Sequence, residues 1–126
     1  MEYHPGVCNI GPSERRKRFA LGVTLLLMAT GVVAVILSVG WAPEMVLFTW
    51  PFIYGATVAF IQYRERFCAV FALLGVFNVG DGTSKVTDPQ AMEVDRRRVL
   101  RLHIWASVAS AVVSVLTYGL AAIVLM

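Results

Sequence analysis

Four side chains in this sequence could bind a metal ion: His4, Cys8, Cys68 and His103. Two thiolates and two imidazoles are a ligand set that can hold Zn²⁺ tetrahedrally. The spacing of these residues matches no known zinc motif, and the two cysteines do not form a Cys-x-x-Cys pair. We therefore predict no metal and no other cofactor. The cluster remains an alternative to ordinary packing of these four residues at a membrane surface.

Cys68 could also do chemistry by itself. It follows Arg64 and Arg66, whose positive charge favours the reactive thiolate form of a nearby cysteine. The alternative is that Cys68 is a small apolar side chain packed beneath the following segment.

Basic residues form a third set that could bind a ligand. Two clusters could contact anionic lipid or a protein partner, or could simply determine topology: Arg15, Arg16, Lys17, Arg18, Arg96, Arg97, Arg98 and Arg101. Attraction to an anionic leaflet contributes about 1 kcal/mol for each basic residue near the surface. We expect ion pairs with Glu14, Glu65, Glu93 or Asp95. The net charge of +3 follows from this topology and does not indicate nucleic-acid binding.

Three apolar stretches must position these residues, at 19–39, 45–63 and 104–126, and none contains Asp, Glu, Lys or Arg. At 1.5 Å per residue they measure about 31, 28 and 34 Å as helices, enough to cross a hydrocarbon core of about 30 Å. Helices are expected because unpaired backbone groups in lipid cost several kcal/mol each. We predict an all-α protein with three transmembrane helices, in which a helical hairpin is joined to a third span as one domain, residues 1–126.

The distribution of charge predicts the orientation. All eleven Lys and Arg lie before the first stretch or between the second and the third, and the 40–44 loop contains none. The positive-inside rule then places the N-terminus in the cytoplasm and the C-terminus outside. We expect the membrane to be a bacterial inner membrane. We expect the first stretch to be a retained span, since its apolar region exceeds the 7–15 residues of a signal peptide.

Prolines and glycines predict where the helices begin and end. Pro12 and Asp88-Pro89 suit helix starts, and Gly40 suits a helix end. Pro51 lies within the second stretch and is expected to bend that helix. The apolar run 67–79 measures about 20 Å as a helix, too short to span, and is predicted to be an interfacial or re-entrant helix. Residues 80–126 are predicted to form a loop, a basic cytoplasmic stem and the third span.

Small side chains indicate where helices touch. They recur at four-residue spacing at Gly55 and Ala59, and at Ala106, Ser110 and Ser114. In lipid such ladders let helix backbones approach closely. The contact could form within one chain or between chains.

Two motifs resemble a known family. The first runs from Asn9 through Gly11, Glu14 and Arg15 to Arg18, and the second contains Cys68 and Gly75. Together they resemble the YgaP-like small inner-membrane family, a two-helix transmembrane domain that is sometimes fused to a rhodanese sulfurtransferase. The family pattern is Asn-x-Gly-x-x-Asp/Glu-Arg-x-x-Arg before the first helix and Cys-Pro-x-Tyr-x-x-x-Gly after the second.

The resemblance covers roughly residues 8–78 and implies a helical hairpin with an interfacial segment. Ala69 and Phe71 replace the Pro and Tyr of the family pattern, so the turn after Cys68 can differ. The segment from residue 80 onwards has no counterpart in the two-helix form. These residues contain no rhodanese sequence, so the resemblance implies no sulfurtransferase activity.

Taken together, the sequence predicts a non-enzymatic membrane protein, a scaffold or accessory subunit. Its expected partners are anionic inner-leaflet lipids and either further copies of itself or other membrane subunits. Two alternatives remain. One is a minimal oligomeric transporter or channel that uses Thr49, Thr57, Ser110, Ser114 and a bend at Pro51. The other is a sulfur-carrier partner that uses Cys68.

Overall fold

The computed structural model describes residues 2–80 and 82–126, and helices dominate it. Within these described residues, four α-helices, one 3-10 helix and two short strands follow in the order α1 (Pro12–Val39), a 3-10 helix (Pro43–Thr49), α2 (Trp50–Glu65), α3 (Ala69–Leu74), β1 (Val76–Phe77), β2 (Ser84–Lys85) and α4 (Pro89–Val124). Three segments are long and apolar enough to cross a membrane: Pro12–Val39, Pro43–Glu65 and Pro89–Val124. The chain is thus a multi-pass membrane protein, and the predicted all-α fold with three spans is confirmed.

Helix α1 begins and ends at the residues that the sequence indicates. Pro12 occupies its first turn, where a missing N–H breaks no helical hydrogen bond. Gly40 ends it in the left-handed conformation with φ of 77°, and its N–H donates to the Ile36 carbonyl at 3.1 Å. A glycine adopts this conformation without the steric cost that a side chain would add.

The second span is made of two helix types. A 3-10 helix covers Pro43–Thr49, and the α-helix starts only at Trp50. Pro51 therefore lies in the first turn of α2, directly after the 3-10 turn in which the Trp50 N–H donates to the Leu47 carbonyl. Pro51 has no N–H to donate to that preceding turn, and the bend at this position stays a prediction. The change of helix type occurs one to two residues earlier.

The segment after α2 is only partly helical. Helix α3 covers six residues, Ala69–Leu74, and Gly75 ends it with φ of 70°. Strands β1 and β2 then pair antiparallel, with Val76 opposite Lys85. The predicted short apolar helix is present, but its extension to residue 79 is wrong, because the chain turns at Gly75 into a β-hairpin.

Helix α4 is a single rod that joins the basic stem to the third span. The Asp88 side chain accepts a hydrogen bond from the Gln90 N–H at 3.0 Å, and Pro89 follows as the first helical residue. The helix has 36 residues, about 54 Å at 1.5 Å each, so it exceeds the thickness of a hydrocarbon core. The predicted start at Pro89 and the continuous stem and span are confirmed.

Packing leaves most of each span uncovered. Helix α2 packs between α1 and α4. On α1 the buried apolar residues are Gly22, Ala29 and Ile36, spaced by seven, and they form one narrow seam. An apolar cluster of Ile36, Val46 and Ala121 lies at one end of the bundle. Within the most apolar 18-residue window of each span, only 17%, 28% and 17% of residues are buried in the chain.

Candidate functional site

The basic segments meet at one end of the bundle. Arg15 Nε donates to the Tyr63 carbonyl at 2.9 Å, which joins the start of α1 to the end of α2. Arg98 Nη2 contacts Glu65 Oε2 at 2.6 Å, which joins α4 to the same end. We call this the basic end. A cap lies over it, formed by residues 2–11, α3 and the β-hairpin.

Asn9 holds the cap together. Its Nδ2 donates to the Cys68 carbonyl at 3.0 Å, and its Oδ1 accepts from the Cys68 N–H at 2.6 Å. The Asn9 N–H donates to the Arg66 carbonyl, and the Asn9 carbonyl accepts from the Asn78 N–H. Asn9 is completely buried, so each of its polar groups needs a protein partner. The side chain of Asn9 thus joins the N-terminal segment to Cys68 at the start of α3, while its backbone joins the end of α2 and the hairpin.

Three further residues of the first motif, Gly11, Glu14 and Arg18, contact Cys68, the hairpin or one another. Arg18 Nη2 donates to Cys68 Sγ at 3.1 Å and lies 3.5 Å from Glu14 Oε2. A Cβ on Gly11 would lie 2.8 Å from the backbone of Val79, so only glycine fits there without a shift. The two motifs, some sixty residues apart in sequence, form one interlocked unit.

The N-terminal segment is also fixed to α4. Asp95 is almost completely buried and accepts from the Tyr3 hydroxyl and, at 2.7 Å, from the Gly6 N–H. The Tyr3 ring stacks on Phe77 with centroids 4.5 Å apart. Burial, and then the hydrogen bond and negative charge of Asp95, raise the pKa of Tyr3. No sequence pattern indicated this contact, although Asp95 stands out as an acid beside a run of three arginines.

The four predicted metal-ligand candidates are not brought together. The Cys8 thiol donates to the Glu2 carbonyl at 3.3 Å, while Cys68 Sγ accepts from Arg18. His103 Nδ1 forms a hydrogen bond with the Tyr54 hydroxyl between α4 and α2. Within residues 2–80 and 82–126, no group of three or more His, Cys, Asp or Glu side chains is placed to hold a metal ion. The alternative of a shared zinc site is therefore wrong for this structure.

The basic residues divide into paired and unpaired sets. Glu14 forms salt bridges with Lys17 and Arg18, Glu93 with Arg97, and Glu65 with Arg98. Asp95 instead accepts a hydrogen bond from the Tyr3 hydroxyl. Arg15 lies over the Tyr63 ring at 4.7 Å. In the described part of the chain, three of the predicted basic residues are exposed and form no salt bridge: Arg16, Arg96 and Arg101.

The small and hydroxyl residues of the spans lie mostly between helices of this one chain. Ala59, Ala106, Ser110 and Ser114 are buried, and a Cβ on Gly55 would lie 2.9 Å from Leu25.

Most of the hydroxyl groups predicted to matter in the spans already form hydrogen bonds within the chain. Ser110 Oγ accepts from Trp50 Nε1 at 3.1 Å and donates to the Ser107 carbonyl. Thr49 and Thr57 donate to carbonyls of their own helices. The Ser114 hydroxyl is the one buried side-chain polar atom without a hydrogen-bond partner among the described residues.

A groove between α2 and α4 collects residues that the sequence did not associate. It has a volume of about 390 Å³ and is lined by Ile61, Arg64, Glu65, Arg98, Arg101, Leu102, Trp105 and Ala109. Arginines lie at one end and apolar side chains at the other. This groove was hard to predict from the sequence, because Arg64 precedes the α4 residues that line it by more than thirty positions.

Chemically, the basic end can bind anions and organise a rigid cap, and its buried thiol is held by an arginine. Comparison with protein-family models, with curated proteins and with solved structures gives no match in any of the three.

Proposed function

We propose that the protein is a non-enzymatic scaffold or accessory subunit of a bacterial inner membrane. In this proposal the basic end faces the cytoplasm, the N-terminus is cytoplasmic and the C-terminus is outside. The support for the orientation is that all eleven basic residues precede α1 or lie between α2 and the third span. The chain would associate in the membrane with a second copy or with another membrane subunit.

The observation that carries this proposal is how little of its spans the chain buries. Five sixths of the apolar window of α1 remains unburied, because the packed seam of Gly22, Ala29 and Ile36 is only one residue wide. The opposite side of α1 carries small exposed residues at seven-residue spacing, Thr24, Gly31 and Ser38. Small side chains allow close helix contact in lipid. This outer face is where we place the association.

The cap supports a structural role. It is fixed by side chains of Asn9 and Asp95 that contact backbone on other elements, so its shape does not depend on a single loop. A rigid cap above helices with uncovered sides suits a subunit that presents a fixed surface. The hydrogen bonds of Thr49 and Thr57 to their own helices favour this role over a transporter. Cys68 is only 1% exposed, and this burial favours the structural role over that of a sulfur carrier.

Membership of the YgaP-like family is part of the proposal for residues 8–78. Its support is that Asn9, Gly11, Arg18 and Cys68, which carry the resemblance, contact one another or the same hairpin. Because these motif residues serve to hold the cap in place, none of them needs a catalytic role.

The test is cross-linking in native membranes, followed by mass spectrometry of the products, for wild-type protein and Gly31→Leu. Nothing lies within 4 Å of a Cβ on Gly31, so the substitution leaves the fold of the single chain intact. Gly119→Leu is the matched control, because its site on α4 is equally open. We expect a cross-linked complex that Gly31→Leu weakens and Gly119→Leu preserves. A wild-type protein that yields only monomer would refute the proposal.

A further inference from the structure

We propose that the groove between α2 and α4 is a binding site for an anionic phospholipid. The headgroup phosphate would lie at Arg64 and Arg101, and one acyl chain would lie along Leu102, Trp105 and Ala109. The volume of about 390 Å³ falls within the range of about 300–1,000 Å³ that ligand sites occupy.

The charge at the mouth of the groove supports an anion. Three guanidinium groups and one carboxylate line it, which gives a net charge of two positive. Arg98 is engaged by Glu65 at 2.6 Å. In the described part of the chain, Arg64 and Arg101 have no acidic partner within 4.0 Å. Guanidinium groups bind phosphate through paired, charge-assisted hydrogen bonds, so these two are free to receive one.

The polarity along the groove distinguishes a lipid from a free anion. Arg64 is one residue from the end of α2, and Ile61 lies one turn deeper in the span. On α4, Ala109 follows Arg101 by eight residues, about 12 Å along the helix axis. The groove therefore changes from cationic to apolar in the direction in which the chain enters the membrane. A small phosphate ion would use only the mouth, whereas a phospholipid fits both parts.

Trp105 adds a feature typical of the membrane boundary. It is 68% exposed on the groove wall, one turn deeper than Arg101. Tryptophan is enriched at the level of lipid headgroups, where its ring contacts hydrocarbon and its N–H stays close to polar groups. Arg101 and Trp105 thus mark the depth at which a headgroup meets its acyl chains. Beyond Trp105, the large exposed hydrophobic side chains of α4, from Val108 to Val124, are all aliphatic.

The experiment uses full-length protein and native mass spectrometry from detergent containing phosphatidylglycerol or phosphatidylcholine with the same acyl chains. We expect phosphatidylglycerol to bind more tightly. Arg64→Gln combined with Arg101→Gln should lower that affinity about 30-fold, since each basic contact contributes about 1 kcal/mol. The control pair, Arg16→Gln with Arg96→Gln, removes the same charge from exposed positions outside the groove and should leave the affinity within about twofold.

A second variant tests the apolar part without changing charge. Ala109 is exposed, so Ala109→Phe fills the groove while leaving helix packing unchanged, and it should also weaken phosphatidylglycerol binding. Inorganic phosphate at millimolar concentration should not displace the lipid. Equal binding of the two lipids, equal losses in the groove and control pairs, or full competition by inorganic phosphate would each overturn the proposal. None of these outcomes depends on self-association, so they are separate from the test of the scaffold role.

Discussion

Replacing Asn9 by alanine removes the side chain that joins the N-terminal segment to Cys68 at the start of α3. The Cys68 N–H, which donates to Asn9 Oδ1 at 2.6 Å, would lose its partner in a buried site, whereas the Cys68 carbonyl would still accept from the Ala72 N–H at 3.1 Å. An unsatisfied buried group costs about 1–3 kcal/mol. We therefore expect a loss of about 1–3 kcal/mol from the one group left without a partner. The loss should open the cap locally and leave the spans folded.

The thiol of Cys68 reports this opening. It is 1% exposed in the closed cap, so a maleimide can react only after the cap opens. In a Cys8→Ala background, Asn9→Ala should raise the labelling rate of Cys68 about 30-fold, because about 2 kcal/mol, the middle of this range, changes the open population by that factor. Asn78→Ala is the matched control. Among the described residues, the Asn78 side chain forms a hydrogen bond with the exposed Gly80 N–H alone, and the contact of Asn78 with Asn9 is through backbone. Equal labelling rates in the two variants would refute the role given to Asn9.

Two further predictions concern the helix seam and the N-terminal segment. Gly22→Leu should destabilise the α1–α2 contact by about 1–3 kcal/mol, because a Cβ at Gly22 would lie 2.9 Å from the Phe60 ring. The control Gly31→Leu, on the open side of α1, should leave the stability unchanged. Both variants are measured by unfolding in mixed micelles. Tyr3 has a raised pKa when folded, so the folded state keeps its proton after the unfolded state has lost it. Its contribution to stability is therefore full below pH 10 and is lost as pH rises above that value. Cap opening measured by proteolysis should increase above pH 10 in wild-type protein more than in Tyr3→Phe, and identical profiles would contradict the assignment.

Local signals in the sequence account for most of the helical architecture. The ends of α1 and the start of α4 could be predicted from the sequence, because the residues that set them act on positions only a few residues away. These residues are Pro12, Gly40, Asp88 and Pro89, and the length of each apolar stretch predicts the span itself. Pro51 alone did not predict the change from 3-10 helix to α-helix at Trp50, because a proline suits either a bend or a first helical turn. The strand at Val76 depends on pairing with Lys85, nine residues away, which apolar composition alone does not reveal.

The site was less predictable than the spans. The resemblance singled out Asn9 and Cys68 separately, but only the fold shows that they bind each other. Asp95 was expected to pair with arginine, yet Tyr3 and Gly6 occupy it because the N-terminal segment folds back onto α4. The groove joins Arg64 to Arg101 through helix packing, which leaves no periodic pattern in the sequence.

The most direct test of the account is the side of the membrane on which each end of the bundle lies. The test uses two variants, Arg96→Cys and Met126→Cys, each made in a protein whose Cys8 and Cys68 are replaced by alanine. Each variant is probed in intact cells with a membrane-impermeant thiol reagent. We predict labelling at position 126 and protection at position 96 until the membrane is permeabilised. Labelling of position 96 in intact cells, with position 126 protected, would contradict a cytoplasmic basic end.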